Sequence, residues 1–239
     1  MKLDQSIVDY IFNVVKTAKL VNIDNIIIEP GLVRAMNDGR TVVLRSAENV
    51  PDLPFSSIGI TRINDILARY EIVSKIDGFY VEAKTDSDGE YATQLILKAK
   101  RTKVDYRCGD PRTLNAPKQI NDVMCHNVEL SESVVEMLVK GAAAMGSENV
   151  SFISDNDGVV FKLADDNKDI FKCEFETRAI PIANAEGKMP SSNSFAHSYS
   201  VKTLLALFKN HTDVVFSIGQ KGIISFPING LTVYVIPQV

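Results

Sequence analysis

The chain has 239 residues, 45% hydrophobic and 23% charged, with a formal net charge of −4 at pH 7. That length admits one large domain or two of ordinary size, and the composition is that of an ordinary globular protein. No apolar run reaches the ~18 residues of a membrane span, the start MKLDQSIVDYIFNVV lacks the apolar core and cleavage site of a signal peptide, and a negative balance by itself argues against phosphate binding, which calls for a basic surface.

Residues 5–20 have the spacing of an amphipathic helix, with Ile7, Ile11, Val14, Val15 and Ala18 on one face and Asp9, Asn13 and Lys16 on the other. β-rich runs follow at 25–29, 32–36 and 40–47, the last two joined by Asn37-Asp38-Gly39, a hairpin signal. Residues 55–60 read as a strand and Thr61 as the N-cap of a short helix over 62–70. Strands are expected at 79–84, 91–98 and 103–108, with Asp88-Gly89 turning between the first two.

Residues 110–121, DPRTLNAPKQIN, break the pattern with two prolines and no helical or strand period. The order then starts again. A strand at 124–130 leads to Ser131 as cap of a helix over 132–145, and strands at 150–154 and 159–164 flank Asn156-Asp157-Gly158. A strand at 171–179, a polar loop at 183–193 and a strand at 195–199 precede Ser200, which caps a helix over 201–210. Strands at 214–218, 223–227 and 231–236 close the chain.

Each half therefore reads helix, strands, short helix, strands, and residues repeat as well as order. Val15-Lys16-Thr17-Ala18 matches Val139-Lys140-Gly141-Ala142, and Ile63, Ile66, Leu67 and Tyr70 correspond to Val201, Leu204, Leu205 and Phe208. The expectation is an α+β protein of two tandem copies of one fold: 1–109, a connector at 110–121, and 122–239.

The charges are unevenly placed. The four expected helices carry Lys16, Lys19, Arg62, Arg69, Lys140, Lys202 and Lys209 against Asp9, Asp65, Glu132 and Glu136, a surplus of three that leaves −7 elsewhere. Arg62 and Arg69 are seven apart, as are Lys202 and Lys209, so each pair shares a stripe two turns apart. Such helices suit a protein that shows them to a polyanion, although solvated helix faces are often basic for no further reason.

Catalytic patterns are not found: no Walker loop, no G-x-G-x-x-G and no G-x-S-x-G. Cys125-His126 falls in an expected strand, where neighbouring side chains face opposite ways. Asp155-Asn156-Asp157-Gly158 begins like a calcium loop but lacks the later ligands and the final glutamate, and reads as a turn. Asp165, Asp166 and Asp169 read as a solvated loop. Three cysteines, Cys108, Cys125 and Cys173, none in a C-x-x-C, read as reduced thiols of a cytoplasmic protein. No metal or other cofactor is expected.

Together the repeat, the acidic body and the basic helices resemble a DNA sliding clamp. DPRTLNAP followed by a strand and SESVVEMLVKGAAAMGSENVSF resembles the clamp of T-even-type bacteriophages, as does RAMNDGRTVVLRSA, while the ending LTVYVIPQV is similar to the tail of proliferating cell nuclear antigen. The resemblance covers nearly the whole chain, and the 183–193 loop is longer than in the phage family. It implies a non-enzymatic homotrimeric ring, helices lining the hole and sheets outside. The ring would tether a replicative DNA polymerase, be opened by a clamp loader ATPase and possess a role in viral late transcription, in the cytoplasm of a host bacterium. Twelve helices at roughly 10 Å spacing make a lining about 120 Å around, ~38 Å across at the axes. Subtracting one helix diameter of ~10 Å leaves ~28 Å, room for double-stranded DNA. Sequence-independent phosphate contact is what sliding requires. By the same resemblance, a client peptide docks at Met36, Val42, Leu114, Tyr234, Val235, Ile236 and Pro237. Read from the residues alone, all seven are ordinary core or edge-strand positions, and for Val42 and Val235 that is the better reading. The competing expectation is a two-repeat α+β scaffold that binds protein partners without DNA.

Overall fold

The computed structural model describes residues 1–46, 50–117, 119–154, 159–164, 169–174, 180–183, 194–209 and 214–238. The expected turn at 156–158, the acidic pair Asp165-Asp166, most of the 183–193 loop and His211 lie outside these. The chain divides into two compact units, Met1–Gln119 with Pro227–Thr232, and Ile120–Phe226 with Val233–Val239. Among the described residues, no helix is long and apolar enough to cross a membrane.

In the first unit, α1 (Gln5–Leu20) is followed by β1 (Ile26–Glu29), β2 (Leu32–Met36), β3 (Val42–Ser46) and β4 (Ser57–Ile60), then α2 (Ile63–Val73), β5 (Tyr80–Thr85), β6 (Tyr91–Ala99) and β7 (Thr102–Arg107). The strands run in the order β3-β2-β1-β4-β6-β5, with β7 also on β6. All five apolar residues of the expected α1 face are buried, together with Val8, Phe12 and Thr17. Phe12 stacks on Tyr70 of α2 with centroids 3.8 Å apart, and Tyr70 meets the edge of Phe79 at 5.7 Å. This aromatic column pairs the two helices, in the arrangement that gives aromatic contacts their additional stabilisation.

Both expected turns connect antiparallel pairs, β2 with β3 and β5 with β6, and in each a side chain closes the loop. Asn37-Asp38-Gly39 lies in the loop of the β2–β3 hairpin, which is longer than two residues. Asn37 Oδ1 accepts the Thr41 and Val42 amides at 2.8 and 2.9 Å, Arg40 N–H donates to the Asn37 carbonyl at 3.0 Å, and the positive φ of 54° falls on Arg40. The side-chain amide of Asn37 replaces a backbone partner and lengthens the loop. Asp86 does the same between β5 and β6, its Oδ1 accepting the Glu90 and Tyr91 amides at 2.7 and 3.2 Å. Thr61 does not cap α2. Arg62 occupies the N-cap with φ 50°, and the Thr61 amide and carbonyl are both bonded to the Tyr106 hydroxyl.

The second unit holds β8 (Met124–Leu130), α3 (Glu132–Met145), β9 (Asn149–Ser154), β10 (Val159–Ala164), β11 (Ile170–Glu174), β12 (Ile180–Pro181), β13 (Phe195–Ser200), α4 (Val201–Phe208), β14 (Val214–Gly219) and most of β15 (Ile224–Ile228) and β16 (Leu231–Val235), whose residues within Pro227–Thr232 belong to the first. Its strands run in the order β12-β8-β14-β15-β16, and a separate four-stranded sheet runs β11-β10-β9-β13. Ser200 caps α4 by accepting the Thr203 amide at 3.4 Å, whereas Ser131 makes no cap bond and meets the Ser133 hydroxyl. Its core is an aromatic cluster. Phe152 meets Tyr199 at 6.0 Å and Phe216 at 5.7 Å, and Phe208 of α4 stacks on Phe216 at 5.5 Å. Phe208 and Tyr70, matched in the repeat, thus both anchor a short helix through ring contacts.

Candidate nucleic-acid interface

In each unit the two helices pack against one another, so the basic positions are best taken pair by pair. On α1, Lys16 and Lys19 are exposed, and Lys16 Nζ lies over the Tyr70 ring at 5.4 Å, a cation–π contact that leaves the ammonium in water. On the second pair, Lys140 and Lys209 line a groove of about 270 Å³ with Glu132, Val135, Glu136 and Val139. Lys140 donates to Glu136 one turn earlier at 2.9 Å, a pair that is exposed and weakly stabilising. Lys202 is exposed, and Lys209 lies just past α4 as its C-cap.

The two arginines are engaged elsewhere. Arg62 Nη2 donates to the Arg107 carbonyl at 3.0 Å, and Arg69 Nη1 to the Asp105 carbonyl at 3.1 Å. Both guanidinium groups lie over the ring of Tyr106, at 5.4 and 5.9 Å. Tyr106 is fully buried, and burial raises its hydroxyl pKa. The charge count shifts too. α2 begins at Ile63 and runs past Glu71, and α4 ends at Phe208, so within the helices five basic residues face five acidic ones. Only with Arg62 and Lys209 at the helix ends do the basic residues reach seven. The expected surplus is therefore smaller, and placement of the exposed lysines carries more of the argument than their number.

The expected connector begins with a tight local structure. Asp110 caps the 3-10 turn Pro111–Thr113 by accepting the Arg112 amide at 2.9 Å, and the Arg112 guanidinium returns to the same carboxylate at 2.8 Å while lying over Tyr91 at 4.9 Å. These bonds hold the Asp110 carboxyl below its usual pKa. Leu114 follows, half-buried against Gly59, where a Cβ would lie 3.0 Å from its Cδ1 and 2.6 Å from the Gly109 carbonyl oxygen. Arg34, paired with Glu29 at 2.7 Å, reaches the Ala116 carbonyl at 3.4 Å. Of the other expected peptide-docking positions in the first unit, Met36 is half-buried and Val42 buried.

In the second unit, Val235 is buried, while Tyr234, Ile236 and Pro237 are half-buried. Pro237 and Gln238 line a cavity of about 440 Å³ with His197 and Ser198, and the Gln238 amide donates to the Ser198 carbonyl at 2.7 Å. Beside it lies a residue that sequence reasoning passed over. Asp122 Oδ1 accepts the Lys221 amide at 2.9 Å and Oδ2 the Ile223 amide at 3.0 Å, closing the β14–β15 loop. Cys125 is buried, its thiol donates to the Val123 carbonyl, and burial, then Asp122, raises its pKa, so it is held as the thiol.

His197 packs on Gly222 in that loop, and burial lowers its pKa below 6.5, outweighing the attraction of Asp122. The unfolded chain therefore takes up the proton first as the pH falls. This contribution to stability is complete above the unfolded pKa and is lost as the pH drops through it towards the folded value. In His197→Gln, the fall in Tm of the second unit between pH 7.5 and 5 should be smaller than in the unaltered chain. Thermal unfolding at the two pH values checks this, and equal falls would refute it.

No protein-family model matches the chain, and no curated protein does. Solved structures do. PCNA of A. fulgidus, with the C-terminal region of FEN-1 bound, matches at TM-score 0.62 and 14% identity over 95% of this chain and 94% of that one. PCNA of Thermococcus kodakaraensis matches at 0.63 and 10% identity over 100% and 99%. The DNA polymerase III subunit beta of Pseudomonas aeruginosa matches at 0.62 and 12% identity, over 95% of this chain but 60% of that longer one. Identities this low speak to architecture alone, and the architecture they agree on, across nearly the full length of the chain, is the α+β sliding-clamp fold.

Proposed function

We propose that this chain is a sliding clamp: a non-enzymatic processivity factor, three copies of which close into a ring around duplex DNA. In that role it tethers a replicative DNA polymerase after a clamp loader ATPase has opened the ring. The observation that carries the reading is a pair of helices in each of two units, in a chain that matches solved clamps over 95–100% of its own length. The exposed lysines Lys16, Lys19, Lys140, Lys202 and Lys209 are its DNA-facing cations, and 110–121 joins two copies of the fold. Met36, Val42 and Leu114, with Tyr234, Val235, Ile236 and Pro237, receive the client peptide. The motifs shared with T-even-type phages make the setting viral replication in a bacterial cytoplasm, with late transcription as a second use of the same ring.

A head-to-tail ring needs two different edges on each copy that complement one another. The first unit offers β7, which among the described residues pairs with β6 alone, and the second offers β11, at the end of its four-stranded order. The native particle should therefore have about three times the 26.4 kDa chain mass. It should stay on closed circular DNA through gel filtration and leave once that DNA is cut. Equal retention on circular and linear DNA would count against encirclement.

A further inference from the structure

The edge of β7 is covered by two side chains. Cys108 N–H donates to the Thr93 carbonyl at 2.9 Å, and the register pairs Leu95 with Tyr106 and Leu97 with Val104. The antiparallel alternation then turns the peptide groups of Val104 and Tyr106 towards β6, and those of Asp105 and Arg107 away from it. Asp105 and Arg107 are the two residues whose carbonyls accept Arg69 and Arg62. Their acceptors at the free edge, spaced two residues apart, are thus both occupied by guanidinium groups from α2. The Tyr106 ring beneath both groups, with its hydroxyl locked on Thr61, fixes the spacing.

Other edges are covered differently. The outer edge of β5 is paired with the chain itself, through Leu3 N–H to the Val81 carbonyl at 2.9 Å and Ala83 N–H to the Met1 carbonyl at 2.8 Å. The edge of β13 is met by Gln238. Backbone cover of this kind leaves only by unfolding a segment, whereas side-chain cover leaves by rotamer change. An exposed edge otherwise invites indiscriminate strand pairing.

We infer that Arg62 and Arg69 form a displaceable latch on β7, which an edge strand of a second copy of this chain must push aside in order to pair. This rests on the trimeric reading above and adds a regulation to it. Pairing removes both guanidinium groups from the carbonyls, so assembly frees two cations at one end and one flank of α2. A lone copy keeps its edge blunted and those cations occupied.

The test is self-association of the full chain by sedimentation equilibrium, comparing the unaltered protein with Arg62→Gln/Arg69→Gln, alongside hydrogen exchange of the Asp105 and Arg107 amides. Removing two competing charge-assisted bonds should tighten association by about ten-fold. In the unaltered chain, exchange at Asp105 and Arg107 should slow as concentration rises. Association that is unchanged or weaker in the variant overturns the latch and leaves the ring standing: the carbonyls then accept both donors at once, or the arginines are part of the contact. Association without protection at Asp105 and Arg107 overturns it as well, because the contact lies elsewhere. Absence of association in both proteins brings down the trimer and the latch together.

Discussion

Reversing Lys16, Lys19, Lys140, Lys202 and Lys209 to glutamate should reduce retention on closed circular DNA by about a hundred-fold or more at physiological salt. The particle mass should not change, since all five are exposed and none lies on β7 or β11. The size of the effect depends on what kind of attraction these helices can exert. With equal numbers of basic and acidic residues inside the helix bounds, no deep basic groove is available. Contact must come from flexible lysines reaching individual phosphates, each adding about 0.9 to the slope of log K against log salt. Binding of that kind is weak and blind to sequence, which is what movement along a duplex requires. Single reversals should therefore have small effects and the fivefold variant a large one, with a flattened salt dependence. Arg62 and Arg69 are omitted because both guanidinium groups contact β7, so that reversing them would disturb association between copies as well as contact with DNA. A scaffold that binds only proteins would show no change in any DNA measurement, and unaltered retention of the fivefold variant would favour it.

The fold class was legible because it depends on local periodicity. The α1 face, the strands on either side of α2 and the aromatic positions of the short helices all follow from spacing along the chain. What escaped were contacts between residues far apart in sequence. Tyr106 takes the Thr61 peptide groups from 45 positions away, which moves the start of α2 by one residue and puts Arg62 in a left-handed conformation. Read on a helical stripe, Arg62 and Arg69 look like two solvated cations, and only the packing of β7 beside α2 shows where they end. Within 102–107 alternation does turn Tyr106 inward, and that signal was available. At the Asn37 and Asp86 loops the turn itself was legible, and what escaped was how each loop is closed. A side-chain oxygen that accepts two amides ahead of it competes with the turn that Asp-Gly would otherwise make, and sequence alone does not rank the two. Asp122 carried no sequence signal, since its partners Lys221 and Ile223 lie about a hundred residues on.

That residue supports the second large expectation. Asp122→Ala should destabilise the second unit by about 2–4 kcal/mol, because the amides of Val123, Lys221 and Ile223 lose a charged acceptor and that of Ile223 is partly buried. Gly219→Ala should cost a similar amount for a steric reason. Its backbone is not in the left-handed region, so alanine is conformationally acceptable, but the added Cβ would lie 2.2 Å from Asp122 Oδ2 and 2.4 Å from its Cγ. The carboxylate must leave, and the same amides lose it. The two substitutions thus damage one interaction from opposite sides, and their effects should not add. In the Asp122→Ala background the space is empty, so Gly219→Ala should cost less than about 1 kcal/mol there. Denaturant unfolding of the four proteins gives the coupling. Additive losses would mean that Gly219 is needed for something other than room for Asp122, and that the carboxylate is not what closes the β14–β15 loop.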